Sequence, residues 1–340
     1  MATTPTPQQE RLLRAIRLFP QRRVAVIGDA VADRFVHGVI SRVSREAPVF
    51  ILRHEQTETI PGGAANCAMN LASLGANVSL VTVLGDDEAG QALLERLKTS
   101  GVNCESVVLS DRVQTVTKMR VLAGQLHSTR QQVIRIDYED GPLTDPALHL
   151  AVVAQSRATA AGSDAIIISD YNYGVASEKA VEAIRQATAK HSTPVFVDSR
   201  SRLRAFSGCT SATPNEEEVD QLLGGISNDP AQVANAAERL REQLGFRALL
   251  VTRGSHGMLL LEQDVAPLNL DAVGGSEPVD VTGAGDTVIA TYALAVASGA
   301  SFPDAARLAN YAGGLVVMKR GTATVTPKEL EESVANSESV

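Results

Sequence analysis

Residues 22–29 have the sequence Arg22-Arg23-Val24-Ala25-Val26-Ile27-Gly28-Asp29. An apolar run that is rich in β-branched residues and stopped by glycine is typical of a strand buried on both faces. The same pattern recurs at residues 165–169, 194–198 and 248–252, and a helical pattern follows each run. Buried strands separated by helices predict a doubly wound α/β fold, in which helices cover both faces of a mainly parallel sheet.

Two segments, 34–60 and 114–137, interrupt this alternation of strands and helices. Apolar and polar residues alternate in them, and no helical pattern separates their strand-like pieces. A period of two residues predicts a small antiparallel β sheet with one solvent-exposed face. We therefore expect a β lid inserted into the α/β core.

The rest of the chain contains no internal repeat and no Pro/Gly-rich linker long enough to separate independent domains. We expect one domain over 21–330, a helical extension at 1–20 and a tail at 331–340. Further helices are predicted at 9–19, 64–74 and 87–99, and a further strand is predicted at 78–84.

The charge balance argues against a nucleic-acid partner. The 340 residues include 31 Lys and Arg against 39 Asp and Glu, a formal net charge of −8. Binding to phosphate backbones needs a concentrated basic face. The absence of Trp and an aromatic content of 4% also leave few platforms on which bases could stack.

No segment suggests export or membrane insertion. The apolar runs are far shorter than the roughly 20 residues of a membrane span, and the polar start of the chain lacks a secretory signal. Cys67, Cys104 and Cys209 are odd in number and far apart, so neither a disulfide framework nor a paired zinc site is expected. This pattern predicts a cytoplasmic protein.

The motif that carries chemistry is Asp280-Val281-Thr282-Gly283-Ala284-Gly285-Asp286-Thr287, followed by a helical run. Small residues at 283–285 allow backbone N–H groups to form an anion site at a helix N-terminus. A carboxylate beside such a site, Asp286, suits phosphoryl transfer to a hydroxyl, because the amides stabilise charge and the carboxylate accepts the proton. The alternative is that Asp286 only caps the helix. Neither GxxxxGK nor GxGxxG occurs, which disfavours a P-loop NTPase or a dinucleotide dehydrogenase.

This motif resembles the C-terminal signature of the ribokinase-like (PfkB) carbohydrate kinases. Pro61-Gly62-Gly63-Ala64-Ala65-Asn66-Cys67-Ala68, with 85–90, resembles their N-terminal signature. Residues 28–33, 213–218 and 252–257 match further motifs of that family in the right order. The resemblance covers about 22–330 and implies a ribokinase-like fold and ATP-dependent phosphorylation of a sugar, with Mg²⁺ as cofactor.

Several candidate residues lie where a sugar phosphate would bind. Asp33 follows a strand end, and the resemblance implies that it binds sugar hydroxyls; the alternative is an Asp in a turn. Lys118 and Arg120 share one face of a predicted strand and suit a substrate phosphate, although a solvated lid surface or a salt bridge would explain them equally well. The remaining candidates for substrate contact are Gly62, Gly63, Asn66, Arg135 and Asp170.

The resemblance also implies a nucleotide site. The family pair represented here by Asn215 and Glu218 organises Mg²⁺ through water together with phosphate, whereas Glu216 and Glu217 are expected to be solvated. Asp280 and Thr282 match a monovalent-cation site of several relatives, and K⁺ binding is left open. Contacts to the phosphates, ribose and adenine of ATP are implied for Thr252, Arg253, Gly254, Gly257 and Asn310.

Residues 41–49, 117–121, 134–137, 169–171 and 279–289 are similar to one branch of the family, the heptose 7-phosphate kinases. That branch converts D-glycero-D-manno-heptose 7-phosphate to the 1,7-bisphosphate on the route to ADP-heptose for lipopolysaccharide. Two positions depart from it. Tyr173 stands where the branch usually has lysine, and Arg200 stands in place of a second lysine. If these family lysines help to hold phosphate, the first is absent here and Arg200 could replace the second.

The resemblance implies a homodimer formed through the lid. Many relatives carry a fused nucleotidyltransferase, so a chain that reaches only Val340 is expected to act as a separate kinase and to need that enzyme downstream. Two alternatives remain open: a kinase for ribose, fructose, fructose 6-phosphate or another sugar, and a non-catalytic regulator that binds sugar or nucleotide. A nicotinamide enzyme is a remote third.

Overall fold

The structure is a computed structural model that describes residues 5–124, 130–224, 230–274 and 278–337. The expectations for residues 1–4, 125–129 and 338–340 lie outside the described residues. The strands are β1 (Arg23–Gly28), β2 (Ala30–Val43), β3 (Phe50–Gly63), β4 (Asn77–Val81), β5 (Val83–Gly85), β6 (Val108–Ser110), β7 (Thr117–Gly124), β8 (Gln131–Tyr138), β9 (Ala165–Asp170), β10 (Val195–Ser199), β11 (Ser211–Ala212), β12 (Ala248–Thr252), β13 (Met258–Glu262) and β14 (Leu268–Leu270). The α-helices are α1 (Pro7–Leu18), α2 (Ala64–Ser73), α3 (Glu88–Thr99), α4 (Pro146–Ala161), α5 (Glu178–Thr188), α6 (Glu216–Leu223), α7 (Pro230–Leu244), α8 (Ala284–Ala297), α9 (Phe302–Val316) and α10 (Pro327–Asn336).

The main sheet has eight strands in the order β14-β13-β12-β11-β10-β9-β1-β4. The six strands from β12 to β4 are parallel, and β13 and β14 add an antiparallel edge. The sequence run at 22–29 forms the strand β1, which pairs with β4 and β9. The prediction of a mainly parallel sheet is therefore confirmed.

Side chains of the buried strands alternate between two apolar layers. Val24 and Val26 of β1 pack in the layer that contains α2, α8 and α9. Ala25 and Ile27 pack in the opposite layer, with α5 and α7. Both faces are thus dry, which explains why these strands read as continuous apolar runs. Each fully buried Val or Ile side chain stabilises such a layer by about 1.5–3 kcal/mol.

The two alternating segments form a four-stranded lid sheet in the order β3-β2-β7-β8. The β2–β3 and β7–β8 pairs are antiparallel, as expected. The central β2–β7 pair is parallel and places Asp33 opposite Lys118. These two strands are not joined by a hairpin, because a long stretch of the core lies between them, and their direction is therefore not fixed by a turn.

Two local expectations differ in detail from the structure. The strand predicted at 78–84 is two strands, β4 and β5, because Thr82 between them turns its hydroxyl to accept the N–H of Ala30 at 3.2 Å. Residues 331–336, expected in a tail, belong to α10, and Val334 of that helix is buried. The side chain of Gln9 in α1 donates to the Val334 carbonyl at 3.1 Å, so the two ends of the chain pack together.

The end of β1 positions the loop that borders the cleft. The carboxylate of Asp29 accepts the backbone N–H groups of Tyr171, Tyr173 and Val175 at 2.9–3.0 Å. These three bonds fix the chain just after β9 against the end of β1. Among the described helices, none is long and apolar enough to cross a membrane.

Candidate active site

A cavity of about 590 Å³ lies between the main sheet and the lid sheet, at the carboxyl ends of the parallel strands. This edge is where open α/β sheets bind ligands, because the loops after the strands converge there. Twelve residues predicted from the sequence line it: Asp33, Gly62, Gly63, Lys118, Arg120, Asn215, Glu218, Thr252, Thr282, Gly283, Gly285 and Asp286.

Asp286 lies in the first turn of α8 and is only 5% exposed. One of its carboxylate oxygens accepts the side-chain amide of Asn66 at 2.7 Å, and the other accepts the hydroxyl of Tyr171 at 3.3 Å. Burial raises the pKa of Asp286 to about 6, although both hydrogen bonds and the charge of Arg200 act in the opposite direction. The carboxylate is therefore ionised at neutral pH, close to the range in which a general base works best.

The backbone before Asp286 forms a cradle at the helix N-terminus. Gly283 adopts a left-handed φ of +77°, and a Cβ there would lie 2.5 Å from the amide nitrogen of Asn66. A Cβ at Gly285 would meet nothing within 4 Å and would project into open space. In the described part of the chain, the N–H groups of Gly283, Gly285 and Asp286 donate to no other residue. The N–H of Ala284, which we had expected in the cradle, donates instead to the Val281 carbonyl at 3.2 Å.

One end of the cavity is built from the lid. Arg120 forms an ion pair with Asp33, and both side chains are mostly buried. Gly62 lies so close to this pair that a Cβ would be 2.5 Å from an Asp33 carboxylate oxygen. Lys118 lies 6.0 Å from the centre of the Tyr171 ring. Burial and the charge of Arg200 lower the pKa of Lys118.

Asn215 and Glu218 form a reciprocal cap at the start of α6. The Asn215 side chain accepts the Glu218 N–H at 2.8 Å, and a Glu218 carboxylate oxygen accepts the Asn215 N–H at 2.9 Å. Both residues line the cavity, and burial raises the pKa of Glu218. Glu216, expected to be solvated, accepts Nε of Arg253 at 2.8 Å. Glu217 lines the cavity as well.

Several predicted residues do not line this cavity. Asp170 is 1% exposed and accepts the Ser199 hydroxyl at 2.7 Å. Arg135 forms an ion pair with Asp137 on the exposed part of the lid. Asn310 donates to the Asp271 carbonyl at 2.7 Å and lines a separate cavity of about 560 Å³ next to α1. The others outside the lining are Asn66, which reaches it through Asp286, and Arg253, Gly254, Gly257, Asp280 and Ala284.

Asp280 organises the loop before the cradle. Its carboxylate accepts the N–H groups of Thr282 at 2.9 Å and Gly321 at 3.0 Å. Burial acts to raise the pKa of Asp280, but the bonds from Thr282 and Gly321 outweigh it, and the pKa is lowered. Within the described ranges, no group of three or more His, Cys, Asp or Glu side chains could hold a metal ion.

Tyr171 and Asp198 line the cavity and were not assigned a role from the sequence, whereas Arg200 was considered only as a replacement for a family lysine. Burial and the nearby carboxylate of Asp286 raise the pKa of Asp198 to about 8. The guanidinium of Arg200 stacks over the Tyr171 ring, 4.5 Å from its centre. Asp198 and Arg200 lie at the carboxyl end of β10, where residues of a parallel sheet often line a ligand site. The sequence could have indicated both residues by this position, but only if β10 had been known to lie beside β9.

The two cradle glycines should respond oppositely to alanine. Gly283→Ala should lower the melting temperature, since a left-handed φ and the contact with Asn66 together cost about 1–3 kcal/mol. Gly285→Ala should leave it equal or higher, but should weaken ADP binding at least tenfold, because the methyl occupies the space above the amides. Calorimetry measures the melting temperatures, and titration with ADP measures the affinity for ADP. Equal destabilisation by the two changes would contradict this description of the cradle.

A carbohydrate-kinase family model and curated relatives match this chain along most of its length. The model described as pfkB family carbohydrate kinase matches residues 21–329. Bifunctional protein HldE of Stutzerimonas stutzeri (strain A1501) is 42% identical over 321 residues, which are 94% of this chain and 65% of that protein. Bifunctional protein HldE of Photobacterium profundum is 42% identical over 322 residues, with the same coverage. The chain thus spans about two thirds of the length of these relatives, 65%.

Solved structures share the fold. Arabidopsis thaliana ribokinase complexed with ribose and ATP superposes with a TM-score of 0.70 at 22% identity, covering 92% of this chain and 98% of that one. Phosphofructokinase-2 from Escherichia coli in complex with substrates and products gives 0.74 at 20% identity, with the same coverage. The chain belongs to the pfkB family of carbohydrate kinases and is a phosphotransferase with a ribokinase-like fold.

Proposed function

We propose that this enzyme transfers the γ-phosphoryl group of ATP to the anomeric hydroxyl of D-glycero-D-manno-heptose 7-phosphate and forms the 1,7-bisphosphate. The observation that carries the proposal is the position of Asp286, a buried carboxylate with a pKa of about 6 beside a cradle of free N–H groups. The similarity of 117–121 and 134–137 to heptose 7-phosphate kinases supports this choice of acceptor.

Asp286 acts as the general base in this reaction. An anomeric hydroxyl is more acidic than an ordinary alcohol, so a carboxylate with a pKa of about 6 can accept its proton during attack. Asn66 and Tyr171 orient the carboxylate from two sides. The N–H groups of Gly283, Gly285 and Asp286 stabilise the charge of the transferred group, because they are fixed in place before the reaction.

The lid end of the cavity holds the acceptor. Asp33 binds sugar hydroxyls and is held in place by its ion pair with Arg120. Lys118 contacts the phosphate that the sugar already carries. Gly62 and Gly63 let the backbone approach the ring. The negative charge of this phosphate explains why the cationic side chains of Lys118 and Arg120 line this part of the cavity.

The nucleotide occupies the opposite end, beside Asn215, Glu218 and Thr252. The carboxylates there are oxygen donors of the kind that Mg²⁺ prefers, and Glu218 would hold the ion through water. Bound Mg²⁺ supplies charge neutralisation of the phosphates. We place K⁺ in the loop of Asp280 and Thr282. The bisphosphate would be consumed by a nucleotidyltransferase, and the three free cysteines suit a reducing cytoplasm.

The acceptor is tested by ADP release with Mg²⁺ and K⁺, using D-glycero-D-manno-heptose 7-phosphate beside ribose, fructose and fructose 6-phosphate. We expect kcat/KM to be at least about 100-fold higher for the heptose phosphate than for ribose, because ribose leaves the Lys118 site unpaired. Preference for another of these sugars would contradict the acceptor but keep the kinase. Equal rates in Na⁺ and K⁺ would contradict the monovalent-cation site.

Asp286→Asn should lower kcat by about 10²–10⁴-fold, because the group that accepts the proton is lost. ATP affinity, measured by titration, should stay within about threefold of wild type. In the wild type, kcat/KM should fall tenfold per pH unit below about pH 6, since protonation of Asp286 removes the base. Asp111→Asn, at an exposed turn, is the matched control. An active Asp286→Asn enzyme would exclude the base role.

The lid sheet also forms the homodimer that we propose. Its outer strands carry exposed apolar side chains, with Phe50 at 58% and Ile134 at 52% exposure, and open strand edges are normally covered. Phe50→Glu should convert the dimer to monomer in sedimentation velocity. Leu150→Glu, equally apolar and 68% exposed but on α4, should not. A monomeric wild type at about 10 μM would contradict a lid dimer of the typical micromolar or tighter affinity.

A further inference from the structure

Arg200 is a cation of the cavity that has no acidic partner. Within the described residues, its guanidinium forms neither an ion pair nor a hydrogen bond, and its close contact is the Tyr171 ring at 4.5 Å. Other arginines nearby are engaged: Arg120 with Asp33, Arg202 with Asp170, and Arg253 with Glu216. The donors of Arg200 are therefore left for a ligand.

Stacking gives this exposed side chain a fixed place. A guanidinium over an aromatic face is attracted by the ring, by about 0.5–1 kcal/mol at exposed sites. The ring itself is positioned, because the Tyr171 N–H is bound by Asp29 and its hydroxyl donates to Asp286. One aromatic side chain thus places both the base and the cation.

Arg200 lines the same cavity as Asp286, Glu218 and Lys118. Its charge lowers the pKa of Asp286, Asp198 and Glu218. It also lowers the pKa of Lys118, which belongs to the lid end. Because Arg200 lines this cavity and stacks on the ring that also hydrogen-bonds Asp286, its charge is available to an anionic group that lies beside the base.

We propose that Arg200 is a catalytic residue whose guanidinium binds two non-bridging oxygens of the phosphoryl group during transfer. The assignment rests on the proposed kinase function and adds a residue to it. The planar fork of arginine matches paired oxygens of a phosphoryl group, a geometry that lysine cannot reproduce.

The acceptor oxygen forms a bond to the γ-phosphorus, and the bond from that phosphorus to the β,γ-bridging oxygen breaks. The electron pair of that bond leaves with ADP, and the hydroxyl proton goes to the Asp286 carboxylate. Charge accumulates on the equatorial oxygens while neither bond is complete. Arg200 meets that charge from the side of Tyr171, and the helix N-terminus meets it from the side of Gly285.

Arg200 and Lys118 differ in what they bind. Lys118 lies on β7, near Asp33 and Asp137 of the lid. Burial lowers the pKa of Lys118, and the charges of these two carboxylates only partly oppose that effect. It serves the phosphate that the acceptor keeps. Lys118→Gln should therefore raise KM for the sugar phosphate more than it lowers kcat, whereas a change at Arg200 should act mainly on kcat.

The test uses Arg200→Gln and Arg200→Lys in the full chain. We expect the Gln variant to lower kcat by about 10²–10³-fold while the Kd for ATP stays within about threefold. The pKa below which kcat/KM falls should be higher in the Gln variant than in wild type, because the positive charge near Asp286 is gone. The Lys variant should restore that pKa but remain at least about tenfold slower than wild type, since it keeps the charge without the fork. Arg157→Gln, an exposed arginine on α4, is the control.

Binding of ADP with aluminium fluoride, a mimic of the group in transfer, provides a readout that needs no turnover. Wild type should bind this mixture at least about 30-fold more tightly than the Gln variant, with equal melting temperatures. Equal affinity would overturn the role of Arg200, whether or not any sugar is phosphorylated. A Gln variant with normal kcat would also overturn the role of Arg200, but it would leave the proposed kinase function intact. If ATP affinity and kcat fell by the same factor, Arg200 would contact bound ATP only before transfer. That result would also overturn its proposed role in the transfer step.

Discussion

The desolvation of Asp286 is the constraint on which the rest of the site depends. A carboxylate that is 5% exposed loses most of its water, and it stays ionised only if protein donors replace that water. Asn66 and Tyr171 provide hydrogen bonds, and Arg200 provides charge. The donors do not fully compensate for burial, so the pKa remains raised at about 6. Because its pKa stays raised, the Asp286 carboxylate is basic enough to accept a proton.

The donors are in turn fixed by the packing of α2 against α8. The side chain of Asn70 donates to the Asn66 side-chain oxygen at 3.2 Å and accepts the hydroxyl of Thr287 at 2.8 Å. This network leaves the amide of Asn66 directed at Asp286. It requires the starts of both helices to approach closely, which explains the glycines before them. Gly63 and Gly283 have φ values of +57° and +77°, and a Cβ on either would contact the neighbouring segment.

The sequence predicts the features that depend on local pattern. Continuous apolar runs predicted the parallel sheet, and the small residues before Asp286 predicted a helix N-terminus with a free cradle. Features that depend on how distant segments meet were not predictable. The parallel β2–β7 pair follows from the order of the lid strands, and the position of Asp198 near Asp286 follows from the packing of α8 against β10. The Asn215 and Glu218 pair shows a further difficulty, since the same spacing also describes a helix cap.

The two departures from the heptose 7-phosphate kinases have different physical consequences. Tyr173 lies outside the main cavity, where its hydroxyl donates to Glu139 at 2.5 Å and its N–H to Asp29. It therefore supports the loop that carries Tyr171 and does not contact ligands in that cavity. Arg200 lies inside the cavity and offers donors that no described residue uses. Of the two positions, only residue 200 lies where it can change the charge geometry that a phosphoryl group would meet in the cavity.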